Sequence, residues 1–249
     1  MKSNYRFRRC YTYHFVSSIK PLFVFLVIFV LVDFGLPALA RMIQPNGSRI
    51  SVYNGFTQLV STPFLIAGSI FLFVGSYASF REDFNFLLAM NNTRHNQYWS
   101  SLLYSLTMAA LFVMICLFMG LIERFLGMVL TNQAIWRPET DWSFAATLSE
   151  LILPFGLFLA ANSFGRMAGA LSYRLGAAFT VTFWIVFGLS FFIIPNLAGT
   201  VSFIGQFLTW FFGVGKNWPL LESGWHLVLL SLLFFTVSGV VVYRMPQNT

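Results

Sequence analysis

Charge is what this chain has least of. Only 9% of its 249 residues are Asp, Glu, Lys or Arg, against about 25% in soluble domains. So little charge cannot solvate a water-facing surface, and a soluble globular fold is excluded. Cysteine is nearly absent too. Cys10 lies in a basic N-terminal stretch and Cys116 inside an apolar run, so no disulfide is expected, and no CxxC or Cys/His metal spacing occurs. The three histidines, His14, His95 and His226, are scattered and by pattern form no site. There is no HExxH, no GxSxG and no carboxylate cluster, so an intramembrane enzyme finds no nucleophile, metal set or acid pair. There is also no GxxxxGK[ST] loop, so the chain does not cradle nucleotide phosphates in that way.

What remains is hydrophobic. Such residues make up 57% of the chain, 31 of them Phe, and mean hydropathy is +0.73. The apolar runs are about 20 residues long, the length of a membrane-crossing helix, whereas barrel strands need about 10. The expected fold is all-α and polytopic, one transmembrane domain over 1–249. Six spans are read: Pro21–Ala40, Leu59–Phe80, Ser100–Ile122, Phe144–Ala161, Leu175–Ile194 and Trp225–Tyr243. Ala38-Leu39-Ala40 fits a cleavage pattern, but the first run exceeds the 7–15 residues of a signal sequence, so no cleavage is expected.

Net charge is +7. The basic residues flank apolar runs, so they are read as orienting the chain rather than binding nucleic acid. With both termini cytoplasmic, ten Lys and Arg fall inside and five outside. Arg166 and Arg174 are counted as an inner loop. Residues 1–20 mix Tyr5, Phe7, Tyr11 and Phe15 with Arg6, Arg8, Arg9 and Lys20, as an interfacial helix against membrane lipid does. Residues 196–223 are too interrupted by Gly to span. They are expected as a short re-entrant or interfacial helix on the outer side, before the last span.

Two acids lie within spans. Asp33 stands about 18 Å beyond Pro21 along a helix, and Glu150 lies near the outer end of the fourth span. Carboxylates in a membrane face a cavity or a partner. Both readings stay open: a substrate path, or structural pairing with Arg41, Arg49 or Arg137.

The longest polar-rich stretch between two apolar runs is Arg81–Ser101, read as an 81–98 cytoplasmic loop. Phe84, Leu87 and Leu88 recur at helical spacing, with Asp83, Asn85, Asn92 and Asn96 over much of the remaining surface, an amphipathic pattern. "FREDFNFLLAMNNTRHNQYWSSLL" resembles the loop between the second and third spans of ABC-2-type exporter permeases of Gram-positive bacteria. Asp83-Phe84, Phe86–Met90, Asn91-Asn92, Thr93-Arg94 and Tyr98 occupy the places of that pattern. The family commonly has Gly where Asn92 stands, and Asn also tolerates a left-handed backbone. "GALSYRLG" (Gly169–Gly176) and the ending "VVYRMPQNT" resemble the turn before the family's fifth span and its basic tail.

The resemblance implies a permease in the bacterial cell membrane, without an ATPase site of its own. A separate ABC ATPase subunit carries ATP and Mg. A second permease copy or paralogue completes a 2+2 assembly. Glu82, Asp83, Phe84, Phe86, Leu87, Asn91, Asn92 and Arg94 would form the coupling helix that docks on the motor. Within the family the chain is most similar to small permeases for phenol-soluble modulins and other amphipathic antimicrobial peptides, which makes an amphipathic peptide the expected substrate, with bacitracin-type drugs and lipid-linked substrates as open alternatives. The other expectation is a stand-alone carrier or channel using Asp33 and Glu150. If Asp33 faces the path, Asp33→Asn should weaken export of cationic peptide while leaving assembly and basal ATP hydrolysis intact. Unchanged peptide efflux from loaded vesicles would assign Asp33 a structural role.

Overall fold

A computed structural model describes residues 2–35, 61–89, 93–131, 144–200 and 220–244. These segments form six α-helices: α1 Lys2–Val30, α2 Thr62–Ala89, α3 Arg94–Thr131, α4 Phe144–Leu175, α5 Ala177–Thr200 and α6 Leu220–Tyr243. A π-helical turn, Leu31–Gly35, follows α1. The helices form because long apolar runs in lipid must satisfy every backbone N–H and C=O internally. Five are long and apolar enough to cross a membrane. In α5 the described apolar stretch, Ala177–Leu189, is shorter.

Helix α4 is the hub, packed on α2, α3 and α6. Glycine lets it come so close. A Cβ on Gly165 would stand 2.3 Å from the carbonyl oxygen of Phe73 on α2, and one on Gly156 would stand 2.6 Å from that of Gly224 on α6. Without a hydrophobic drive between helices in lipid, such backbone approach is a main source of attraction. Phenylalanine fills the space between α1, α2, α3 and α4. Phe64, Phe112 and Phe158 are fully buried, and together with Phe25, Phe29 and Phe71 they form one network of rings with neighbouring centroids 4.5–6.4 Å apart. Rings at such distances add to plain burial.

The helices run up and down. His14 of α1 meets Asp83 near the end of α2, and His95 at the start of α3 meets Tyr243 at the end of α6. The first part of α1 and the last turn of α6 therefore share one end of the bundle. Gly176 separates α4 from α5 with φ of +84°, a left-handed turn that glycine adopts without strain. The expected turn over Gly169–Gly176 thus narrows to its last residue.

Three boundaries differ from expectation. No break separates an N-terminal helix from the first span: α1 continues through Pro21. A proline removes one backbone donor, but ending the helix among apolar residues would leave more groups unsatisfied. No separate coupling helix follows the second span: α2 continues nine residues, Arg81–Ala89, past its apolar stretch Pro63–Phe80. Arg166 is not in a loop: α4 runs on to Leu175 and buries it. The core of the expected outer segment, 201–219, lies outside the described residues.

Gly165→Ala should destabilise the bundle by about 1–3 kcal/mol through overpacking. Gly75→Ala, with open space around its Cβ, should be neutral or stabilise by up to about 1 kcal/mol. Thermal unfolding of both variants in one detergent checks the difference.

Candidate functional site: a buried charged cluster at one end of the bundle

A group of buried polar residues gathers where α1, α2, α3 and α4 meet, near the shared end. Helical spacing brings them there. On α2 the inward face runs Phe73, Ser76, Tyr77, Asp83 and Phe84, all buried, the i, i+3, i+4, i+10 and i+11 positions of one helical face, with Phe80 at i+7 between them. On α4, Asn162 and Arg166 are one turn apart. Helix α3 brings Gln97, Tyr104 and Ser105, and α1 brings His14 and Ser18.

Arg166 is the deepest charge, only 5% exposed. Its Nε donates to Asn162 Oδ1 at 3.3 Å, and its guanidinium lies 5.4 Å from the ring centre of Tyr104, a cation–π contact. A guanidinium can only donate, so Asn162 must turn its oxygen toward it. The same oxygen accepts from Ser76 Oγ at 2.8 Å and Ser105 Oγ at 3.1 Å. One amide thereby ties α2, α3 and α4 together.

His14 Nδ1 and Asp83 Oδ2 are 3.3 Å apart, both side chains buried. Asp83 is also within Coulomb range of Arg166. Tyr104 shares a 2.5 Å hydrogen bond with Ser18 of α1, and Tyr11 donates to Thr107 at 3.2 Å. These contacts hold α1 to α3. Beside the ion pair lies a cavity of about 20 Å³, lined by His14, Asp83, Gln97, Ser101 and Arg166 among others. That is room for about one water.

The structure redistributes the expected site residues. Asp83 and Phe84 face inward, which corrects their expected role as contacts for a partner. Phe84 is 2% exposed, its ring 5.3 Å from Phe80 and 5.2 Å from Tyr173, packed with Ala170, Val241 and Val242. Arg94 opens α3 and is partly exposed. Glu82, Phe86 and Leu87 are helical in backbone, but their side chains lie outside the described set, as do Asn91 and Asn92 altogether. Asp33 sits in the π-helical turn, about 28 Å along the helix from His14. Glu150, whose side chain also lies outside the described set, is about 24 Å along α4 from Arg166. Neither acid joins the cluster.

His14, Gln97, Asn162 and Arg166 were not anticipated as a group. One signal was present: Asn162 and Arg166 stand four apart in an otherwise apolar or small-residue segment, which places both on one helical face. Nothing in the chain around His14 or Gln97 says which helix they meet. Among the described residues no group of three His, Cys, Asp or Glu could hold a metal. The arrangement can bind, orient and exchange protons.

Asn162→Leu should destabilise more than Ser76→Ala. It strips the acceptor from the Ser76 hydroxyl and the Arg166 Nε–H at once, while Ser105 Oγ keeps Ser101 O at 2.9 Å, at about 1–3 kcal/mol for each group left unsatisfied and more for a charged one. Unfolding midpoints of the two variants in the same lipid or detergent compare them. No family model, curated protein or solved structure matches the chain, so the role of the cluster rests on its own geometry.

Proposed function

We propose that this chain is the permease subunit of an ATP-driven ABC exporter, moving amphipathic or hydrophobic substrates, with peptides as cargo, out of a bacterial cell. One observation carries the reading. Helix α2 outruns its apolar stretch by Arg81–Ala89, and α3 begins at Arg94, at the place where the sequence resembles the motor-docking loop of ABC-2-type permeases. On this reading the α2–α3 end projects into the cytoplasm and touches the ATPase. Asp83 and Phe84 brace it from within, and Glu82, Phe86, Leu87, Asn91, Asn92 and Arg94 are the contact residues.

The surplus of Lys and Arg toward this end supports cytoplasmic termini. Helix α5, Ala177–Thr200, supplies the sixth span. Two permease copies, or one with a paralogue, enclose the path. The lack of a phosphate-binding loop fits a subunit driven by a partner.

A second reading has its own observation. Ionisable groups buried inside a membrane bundle mark ion or proton pathways, and His14, Asp83 and Arg166 are such a set near one end of the bundle. They, rather than Asp33 and Glu150, would serve a stand-alone carrier.

Co-expression with an ATPase encoded beside it separates the two. On the exporter reading the two proteins co-purify and peptide stimulates ATP hydrolysis. A Phe86→Ala, Leu87→Ala double variant should weaken the complex at least about tenfold, since an aromatic hot spot is worth about 2 kcal/mol or more. A double variant that keeps both complex and stimulation overturns the docking assignment. Transport by the chain alone in proteoliposomes, driven by a pH gradient, overturns the exporter reading.

A further inference from the structure

The cluster lacks hydrogens in one place. Asp83 as a carboxylate can only accept, so the 3.3 Å contact to His14 requires the hydrogen on Nδ1. In the neutral ring Nε2 is then an acceptor, and it has no hydrogen-bond partner. Gln97 Oε1 is an acceptor without a partner as well. His14 is 5% exposed and Gln97 6%, and both line the same cavity of about 20 Å³. Each buried group left so has given up its bonds to water without replacement. What fits two acceptors in so small a space is a single water giving both its hydrogens.

The surrounding charges make this more than a hydration site. Helix α2 presents Asp83, α4 presents Arg166, and α3 presents Tyr104, whose ring lies 5.7 Å from that of His14. On α1 itself the neighbouring ring is Tyr13. Helix α6 lines the cavity with Phe235, Ser238 and Val242, none of them titratable. With His14 neutral, Asp83 and Arg166 balance. The level is also near water: Asp83 lies three residues beyond Phe80, the last residue of the apolar stretch of α2.

We propose that His14 and Gln97 form a proton-binding site in which one water bridges Nε2 and Oε1. With His14 neutral, the water donates to both atoms. When a proton from solvent adds to the Nε2 lone pair, the new N–H donates to the same water, which still donates to Gln97. The N–H bond forms as an O–H bond of a solvent hydronium breaks and leaves water behind, and the net charge of His14, Asp83 and Arg166 rises from zero to plus one. Asp83 holds the added charge through Nδ1–H. The bridge ties α1 to α3 in both states, and the ion pair ties α1 to α2. This proposal does not rest on the exporter reading, because it needs neither a motor nor a cargo.

The test is ¹⁵N NMR of the imidazole nitrogens in the full chain, labelled at histidine and held in lipid nanodiscs. The His14 signals are identified by their loss in His14→Gln. The pH is lowered from about 8.5 to about 5, the range in which imidazole changes charge. The expected result is the Nδ1–H tautomer alone at the alkaline end, passing to imidazolium. Asp83→Asn should weaken proton binding by about tenfold or more, the loss expected when a hydrogen bond to a charged group is removed, and Gln97→Leu should weaken it by a smaller factor, because a water that accepts from imidazolium donates more strongly to Oε1. An Nε2–H tautomer at the alkaline end, a His14 that stays neutral throughout, or proton affinity unchanged in Gln97→Leu would overturn the proposal. Gln97→Leu decides alone if Asp83→Asn does not fold, since it changes no charge and little volume.

Discussion

One buried guanidinium constrains this end of the molecule. Arg166 lies inside a helix bundle, where an uncompensated charge costs several kcal/mol. Its neighbours follow from that. Asn162, one turn earlier on the same helix, presents its oxygen. Tyr104 presents a ring face, and Asp83 supplies opposite charge within Coulomb range. Because these groups come from α2, α3 and α4, satisfying one cation fixes three helices relative to one another. His14 then follows Asp83 and brings in the first part of α1.

The rest of the bundle depends on a different force. Away from the cluster, ring-on-ring packing and close backbone approach join a few hydrogen bonds such as Tyr98 to Phe235 O. Gly165 and Gly156 let α4 approach its neighbours closely enough for dispersion to act over many atoms. The buried phenylalanines contribute mainly by filling space, with a smaller share from ring geometry. The polar cluster is more exacting, because a hydrogen bond is lost within a few tenths of an ångström. Packing thus provides attraction, and the cluster selects the register.

These two parts meet at the end of α2. Phe84 packs into the small apolar group of Ala170, Val241 and Val242, while Asp83 beside it enters the ion pair. The helix tail beyond them is anchored on one face by apolar and ionic contacts together. If a partner pushes on that tail, as the proposed function requires, α1 and α4 are the elements its anchors reach first. A proton taken up at His14 would act at the same junction.

Periodicity and composition alone settled the all-helical, membrane-type character of this chain. Apolar runs of about 20 residues leave no other solution once water is absent. They placed most helix centres well, but not the ends. Pro21 was legible as a helix start because proline suits that position, yet α1 passes through it. The stretch from Arg81 was legible as amphipathic, and only the fold decided which way Asp83 and Phe84 point. An amphipathic pattern states that a helix has two faces and not which neighbour covers each. The charged cluster was almost invisible in sequence. His14, Asp83, Gln97 and Arg166 are far apart in the chain, and a lone polar residue in an apolar run reads alike whether it meets lipid, water or a partner. Only tertiary packing set them side by side, because the cost of burying each charge falls only when the others are present.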